Sequence, residues 1–211
     1  MNEAAQPRLR RQPQQARSRA RVEAVLAAAD RILARDGFEA LTMRRIAEEA
    51  AVPVGSIYQF YPDKGAVVDA LGQQYLANFK AAIDDLVARA TAGDLRDPVD
   101  TIVDVYADLF RRQPGGVALW SGRRLSPELA RADDATNAVV ADGVRRIVEH
   151  LTGTADDERA ARASRMVVWV ADAVLHQVSR PDSPASPDTL DELKRMLRLY
   201  WADLSTELTG A

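Results

Sequence analysis

The sequence predicts an all-α protein, and three features of the chain support this prediction. Its 10 prolines leave long proline-free stretches at residues 14–52, 63–97, 128–180 and 188–211. Those stretches are rich in Ala, Leu, Arg and Glu, which are strong helix formers. Runs in which Val, Ile or Thr alternate with polar residues are typical of strands, and they are nearly absent.

Helix start signals locate the elements in order. A capping residue stands directly before a proline, a favoured first helical residue, in three places. These are Asp97-Pro98, Ser126-Pro127 and Ser186-Pro187. Thr154 followed by Asp157 resembles a capping box for a further helix. The predicted helices lie near 17–36, 42–50, 54–61, 63–91, 97–113, 115–121, 126–151, 155–179 and 187–208.

Composition narrows the class of protein. Hydrophobic residues make up 47% of the 211 residues and charged residues 28%, which is enough to build a core and excludes a fully disordered chain. There is no cysteine, which excludes disulfides, thiol nucleophiles and cysteine-based metal sites. No strictly apolar run exceeds six residues, so we expect a cytoplasmic protein without a membrane partner.

The net charge of −3 is distributed unevenly. Residues 1–64 carry 11 basic and 8 acidic side chains, whereas the remainder carries 17 basic and 23 acidic side chains. A basic end joined to an acidic body indicates that only one end meets a polyanion. Residues 1–15, which include Arg8, Arg10 and Arg11, are expected to form a flexible basic arm.

Residues 37–64 contain the most informative motif. Gly37 ends the first helix, and Thr42 then stands as a helix cap before Met43. The break at 51–53 separates this helix from a second one over 54–61. Two short helices joined by a three-residue turn predict a helix-turn-helix over about 41–61, whose second helix enters the major groove of DNA. The residues that fit its interior are Ile46, Ala47, Ala50, Val52 and Ile57.

This stretch resembles the N-terminal domain of tetracycline-repressor-type (TetR) transcriptional regulators. The resemblance covers roughly residues 17–65, and its motifs are Leu41-Thr42-Met43-Arg44-Arg45-Ile46-Ala47, Ala51-Val52-Pro53-Val54-Gly55-Ser56-Ile57-Tyr58 and Phe60-Tyr61-Pro62-Asp63-Lys64. It implies a three-helix DNA-binding domain over 16–65 and a helical effector-binding and dimerisation domain over 66–211. It also implies a homodimeric, ligand-responsive repressor that binds a palindromic operator in double-stranded DNA and is released by a small molecule.

The resemblance assigns roles to individual residues of the motif. Thr42, Tyr58 and Lys64 would contact phosphates, and Arg44 would reach a base edge or a phosphate. The residues on the recognition helix, facing the bases, would be Val54, Gly55, Ser56 and Gln59. Arginine can pair with guanine and glutamine with adenine, so these residue types suit base recognition.

Several further arginines have two interpretations each. Arg45 would either contact DNA or form a salt bridge with Glu48 or Glu49. Arg17 and Arg19 are expected to be attracted to the DNA backbone, although a solvated basic segment is the alternative.

Four positions depart from the family pattern. Ala51 stands where glycine is usual, at a cost of roughly 1 kcal/mol if its backbone is left-handed. Pro53 replaces a serine cap, and Gly65 stands where glutamate is common and could loosen the start of the next helix. Phe60 and Tyr61 reverse the usual order. Tyr61 follows Ile57 by four residues, so we expect it to face inward, and which of the two rings contacts DNA stays open.

The resemblance also implies that the last two helices form the dimer interface. The predicted interface residues are Val174, Val178, Leu193, Leu197, Tyr200, Trp201 and Leu204. The candidates for the effector pocket are Tyr106, Phe110, Trp120, Met166, Trp169 and His176. Aromatic and methionine residues at helical spacing are common in ordinary cores, and His176 also suits a hydrogen-bonded position in an interface.

An enzyme is the rival class of protein, and the sequence argues against it. The two histidines have no partner at metal-ligand spacing, and no glycine-rich phosphate loop is present. The adjacent pairs Asp84-Asp85 and Asp133-Asp134 point to different helix faces, unlike the converging carboxylates of a diphosphate-binding helical enzyme. We therefore expect no enzymatic activity, no cofactor and no metal; a helical sensor that does not bind DNA is the other alternative.

Overall fold

The computed structural model of the chain describes residues 16–121, 126–155, 157–180 and 188–210, and over these residues it is helical and contains no strand. The predicted arm at 1–15 and the start signal at Ser186-Pro187 lie outside the described residues. The helices are α1 (Ala16–Asp36), α2 (Met43–Glu49), α3 (Val54–Tyr58), α4 (Lys64–Thr91), α5 (Pro98–Arg112), α6 (Pro114–Ser121), α7 (Pro127–Thr152), α8 (Glu158–Ser179) and α9 (Asp188–Thr209). The all-α prediction is confirmed.

Local capping explains several of the helix starts. The predicted cap at Thr154 is wrong, because the carboxylate of Asp157 accepts hydrogen bonds from the amides of Arg159 at 2.7 Å and Ala160 at 2.9 Å. Helix α4 begins at Lys64, where Asp63 Oδ1 accepts a hydrogen bond from the Ala66 amide at 2.9 Å. This cap holds the first turn of α4 despite the glycine that follows Lys64.

The chain forms two compact units, and their boundary differs from the predicted one at residue 65. The N-terminal unit extends to Leu76, inside α4, and also contains Gln113–Asp133. The C-terminal unit consists of Ala77–Arg112 and the chain from Asp134 onward. The units divide in this way because α6 packs against α1 and therefore belongs with the predicted helix-turn-helix.

A partly buried polar junction fixes α6 against α1 within the N-terminal unit. The carboxylate of Asp30 accepts a hydrogen bond from the Gly115 amide at 3.0 Å and another from the Tyr75 hydroxyl. A Cβ atom at Gly115 would lie 2.5 Å from Asp30 Oδ1, so only glycine permits this approach. The start of α6 thereby stabilises a carboxylate in α1, as expected for a helix N-terminus.

The core of the N-terminal unit joins all the helices of the predicted motif. One continuous cluster of buried side chains spans α1, α2, α3 and the first half of α4. Its fully buried members include Ile32, Leu33, Leu41, Ile46, Ile57, Tyr61 and Val67.

In the C-terminal unit, α5, α8 and α9 pack around Val103, Leu193 and Leu197. Two ion pairs between α5 and α9 accompany this core: Arg198 Nη1 lies 2.6 Å from Asp100 Oδ1, and Lys194 Nζ lies 2.5 Å from Asp104 Oδ1. Both α5 and α8 therefore cover the inner face of α9.

The turn between α2 and α3 has a strained residue at its centre. Ala51 adopts a φ of 53°, in the left-handed region, whereas Ala50 before it is right-handed with a φ of −83°. The Ala51 side chain is exposed, so no packing offsets the strain.

We expect the substitution Ala51→Gly to stabilise the protein by roughly 0.5–1 kcal/mol, because relieving a left-handed alanine outweighs the entropy that glycine adds to the unfolded chain. Urea unfolding measures this as a higher midpoint at unchanged slope. Ala50→Gly is the matched control and should destabilise the protein. A lower midpoint for Ala51→Gly would show that the turn carries no strain.

Candidate DNA-binding site

The candidate site is built on two helices that are very short. Thr42 caps α2 with an extended backbone, and its hydroxyl oxygen accepts a hydrogen bond from the Arg45 amide at 3.2 Å. Helix α2 has 7 residues and α3 has 5. Isolated helices of this length are not stable in water, so their position depends on packing against the rest of the unit.

An apolar seam holds the two helices together. Ile46 and Ile57 are completely buried, and Ala47 between them is 5% exposed. The Ala47 carbonyl accepts a hydrogen bond from the Val52 amide at 3.0 Å, which closes the turn. The small side chain at Ala47 allows the two helices to approach closely, and its burial agrees with its predicted place in the interior.

One face of α3 is left open to solvent. Val54 is 41% exposed and Tyr58 is 44% exposed, and Gln59, directly after the helix, is also exposed. A Cβ atom at Gly55 would meet nothing within 4 Å. Packing within the chain therefore does not explain the glycine, which leaves room for another molecule to approach the backbone.

Phe60 and Tyr61 both face the core. Phe60 is 5% exposed and Tyr61 is 1% exposed. Burial raises the pKa of the Tyr61 hydroxyl to about 12. The prediction that Tyr61 faces inward is confirmed, and neither ring presents a surface to DNA.

A network of charged residues joins α2 to the end of α1. Glu49 accepts hydrogen bonds from Arg31 at 2.9 Å and from Arg35 at 3.3 Å. Asp36 is paired with Arg35 at 3.1 Å and with Arg45 at 2.5 Å. The hydrogen bond from Arg31 is the largest influence that lowers the pKa of Glu49, and the one from Arg35 does the same for the pKa of Asp36.

The position of Arg45 corrects its predicted salt bridge. Its guanidinium pairs with Asp36 instead of Glu48 or Glu49, and it also donates a hydrogen bond to the Ala40 carbonyl at 3.2 Å. Both partners precede α2 in the chain. Arg45 therefore holds α2 in place, and its DNA contact stays a prediction.

Arg44 is far more exposed than its neighbour Arg45. Its side chain is 86% exposed and its partner Glu48, at 3.1 Å, is 63% exposed. Such a surface pair is weak and can be exchanged for a phosphate or a base. Lys64 is half-buried with its Nζ 4.7 Å from the centre of the Phe38 ring, a cation–π contact that restrains the side chain. Arg19 is exposed on α1, and Arg17 lies in α1, with its side chain outside the described part.

The six residues predicted for an effector pocket do not form one site. Tyr106 and Phe110 are buried against Phe79, and the His176 ring meets Phe110 edge-on at 4.7 Å between centroids. Trp120 belongs to the N-terminal unit, where it packs against Tyr75. The other two predictions are wrong: Met166 is 52% exposed and Trp169 is 60% exposed, so they lie on an outer face of α8.

The predicted dimer interface also needs correction. Leu193, Leu197 and Leu204 are between 2% and 7% exposed within a single chain, so they have no area left for a partner. Leu197 and Leu204 line an apolar pocket that is partly open to solvent, together with the half-buried Tyr200 and Trp201. Val174 packs at the edge of the core around Val103, and Val178 is half-buried.

The outer apolar face of the last two helices consists of other residues. Met166 and Trp169 of α8, and Met196 and Leu199 of α9, are all between 45% and 66% exposed. Helix α9 has two apolar faces, and the longer stripe is the one that the chain buries itself. Met196 and Leu199 form the shorter apolar stripe, and they are the signal in the sequence that could have identified the outer face.

We expect Arg45→Ala to lower the melting temperature, because the substitution leaves Asp36 with one fewer arginine and removes the bond to the Ala40 carbonyl. Arg44→Ala is the control, since it removes only a solvated pair and should leave the melting temperature unchanged. Thermal unfolding followed by circular dichroism measures both variants. Equal melting temperatures for the two variants would contradict the positioning role of Arg45.

Within the described residues, no helix is long and apolar enough to cross a membrane. The same residues contain no group of three or more His, Cys, Asp or Glu side chains that could hold a metal ion.

Comparison with known proteins shows which proteins resemble this chain in fold and sequence. A TetR-family transcriptional regulator from Streptomyces coelicolor has a crystal structure that is 25% identical in sequence, with a TM-score of 0.59 over 87% of this chain and 99% of that one. A putative TetR-family regulator from Mesorhizobium loti is 16% identical, with a TM-score of 0.68 over 90% of this chain and 97% of that one, and it shares the fold. An uncharacterized HTH-type transcriptional regulator from Haemophilus influenzae is 31% identical over 62 residues. That match spans 29% of this chain and 33% of the Haemophilus protein.

Two family models match the chain in consecutive segments. Residues 25–71 match the bacterial regulatory proteins of the tetR family, and this segment contains both helices of the candidate site. Residues 94–200 match the tetracyclin repressor-like C-terminal domain. Together with the exposed face of α3, these matches identify the chain as a member of the TetR family of DNA-binding transcriptional regulators.

Proposed function

We propose that this regulator binds a palindromic operator as a homodimer, represses transcription from the adjacent promoter, and is released by a small molecule. The observation that carries the proposal is the open face of α3, presented by two short helices that Ile46, Ala47 and Ile57 anchor in the core. The protein is then a cytoplasmic binding protein and not an enzyme.

The exposed residues divide into base-reading and phosphate-binding groups. Gln59 is exposed, and Arg44 makes only a solvated pair with Glu48, so both side chains can pair with base edges. Ser56 is a partly exposed residue of α3. Gly55 allows the α3 backbone to come close to the DNA, and Val54 offers an apolar contact. Thr42, Tyr58 and Lys64 would contact phosphates, which fix the register without reading sequence. Arg17 and Arg19 add positive charge close to the backbone.

Dimerisation is supported by the outer apolar face of α8 and α9. Large exposed hydrophobic side chains on two adjacent helices are typical of a protein–protein contact. A two-fold symmetric protein presents two recognition helices, which matches the symmetry of a palindromic site. Release requires that the small molecule binds the arrangement unable to hold DNA more tightly than the competent one.

The function is tested by selecting fragments of the host genome that the purified protein retains. We expect a few fragments to be enriched, with an affinity that falls steeply as salt rises, because phosphate contacts release counterions. Retention of all fragments equally, or of none at low salt, would overturn the proposal.

Gln59→Ala should weaken binding to a selected operator by ~1–3 kcal/mol while leaving binding to scrambled DNA unchanged. Fluorescence anisotropy at fixed salt measures both affinities. Gln74→Ala, at an exposed glutamine of α4, is the matched control and should affect neither. If Gln59→Ala weakens both duplexes equally, Gln59 does not read sequence.

Placing a charge in the outer apolar face should separate the subunits. Trp169→Glu and Leu199→Glu are expected to halve the mass measured by light scattering, because an unpaired carboxylate would be buried in the contact. Val139→Glu changes a side chain of α7 that is 40% exposed and serves as the control, with the mass unchanged. Dimers that persist in both α8 and α9 variants would place the interface elsewhere.

A further inference from the structure

Two glutamates end α2, and they differ in what they contact. Glu49 accepts hydrogen bonds from Arg31 at 2.9 Å and from Arg35 at 3.3 Å, which join α2 to α1. The Glu48 side chain is 63% exposed, and its ion pair is with Arg44, one helical turn earlier, at 3.1 Å. Packing within the N-terminal unit therefore explains the charge of Glu49 and does not explain that of Glu48.

Helix stability does not explain the charge of Glu48 either. The C-terminal end of a helix carries partial negative charge, which disfavours an acidic residue in its last turn. A basic and an acidic residue four positions apart also stabilise a helix less when the basic one comes first, as Arg44 does. Exposed pairs of this kind contribute little to the free energy of folding. The substitution Glu48→Gln should therefore leave α2 at least as stable.

The position of Glu48 matters for DNA binding. Residues four apart lie on the same face of a helix, so the Glu48 carboxylate shares the face of Arg44, whose side chain is 86% exposed. If Arg44 contacts DNA, this carboxylate faces the same duplex. Because every phosphate of the duplex is negatively charged, a carboxylate at this place opposes binding to DNA of any sequence.

The Arg44 guanidinium can contact DNA in two ways, and Glu48 affects them unequally. A phosphate offers a single negative charge, which the Glu48 carboxylate already supplies. A guanine edge offers two acceptors, O6 and N7, at a fixed spacing that matches the nitrogens of one guanidinium. The ion pair joins Arg44 Nε to Glu48 Oε1, so the two terminal nitrogens of the same guanidinium can approach a guanine. Glu48 thus competes with a phosphate more effectively than with a base edge.

We propose that Glu48 is a specificity-determining residue, whose carboxylate neutralises Arg44 on unmatched DNA and leaves it available to a guanine edge of the operator. The inference rests on the proposed function, because it needs Arg44 to contact DNA. Glu48 lowers the affinity for DNA in general and so widens the difference between the operator and other sequences. This difference matters for a regulator because non-specific sites vastly outnumber specific ones.

Fluorescence anisotropy of the full chain with a selected operator and with a scrambled duplex, each over a range of salt concentrations, tests the variant Glu48→Gln. On scrambled DNA we expect about five- to tenfold tighter binding near 0.1 M salt, and a slope of log affinity against log salt that is steeper by about 0.9, the effect of one more phosphate contact. On the operator the affinity should change by less than about twofold, because Arg44 is already bound to a base. Equal gains on both duplexes, or no gain on either, would overturn the proposal.

Asp84→Asn is the matched control. Asp84 forms the same kind of pair in the C-terminal unit, with Lys80 four residues before it at 2.5 Å and with side chains that are 57% and 54% exposed. This variant changes the net charge by the same amount and should change neither affinity. A gain on scrambled DNA equal to that of Glu48→Gln would show that net charge alone is responsible. A lower melting temperature for Glu48→Gln would show that α2 needs the carboxylate, and it would also contradict the assignment.

A double variant tests whether Glu48 acts through Arg44. In the background of Arg44→Ala, the substitution Glu48→Gln should no longer steepen the salt dependence, and its gain on scrambled DNA should fall below about twofold, because no arginine is released. A gain that persists in full would show that the carboxylate acts on the phosphates by itself, contrary to the proposal.

Failure of this inference can be distinguished from failure of the proposed function. If the unsubstituted protein prefers no duplex, the proposed function fails and this inference fails with it. If the unsubstituted protein prefers an operator and Glu48→Gln retains that preference in full, only the role of Glu48 is overturned.

Discussion

The buried seam between α2 and α3 is the constraint on which the rest of the structure depends. Two helices of 7 and 5 residues cannot hold their own conformation in water. Ile46, Ala47 and Ile57 anchor them in the core formed with α1 and α4, so every open side chain of α3 acquires a defined position. The ion pairs of Glu49 and Asp36 join α2 to α1 and thereby restrict the orientation of α2. A rigid surface can recognise DNA without first ordering its own side chains, which lowers the cost of binding.

Most of the fold follows from local chemistry, which is why it could be predicted from the sequence. Prolines and caps act within one helical turn, so Thr42, Asp97 and Ser126 mark helix starts without knowledge of any distant contact. The interior of the helix-turn-helix is equally local, because Ile46 and Ile57 are only eleven residues apart and their spacing determines which side of each helix is apolar. The inward position of Tyr61, one helical turn after Ile57, came from the same periodicity.

The features that were not predicted depend on residues far apart in the chain. Arg45 is paired with Asp36 across the turn before α2, whereas helical spacing favoured Glu48 or Glu49. The division into two units depends on the Gly115 amide reaching Asp30 from 85 positions away. In α9, periodicity located the longer apolar stripe but could not show that α5 and α8 would cover it. The predicted interface leucines are therefore buried within the single chain, and other residues form the outer apolar face.

Hydrogen exchange with and without a selected operator duplex tests most directly whether the seam presents α3 to DNA. The account predicts slower exchange on binding across residues 42–45 and 54–59, where the proposed contacts lie. The amides of Ile46 and Ile57 should already exchange slowly in the free protein, because the seam is formed without DNA. Fast exchange at those two amides before binding, or protection confined to helices other than α2 and α3, would contradict it.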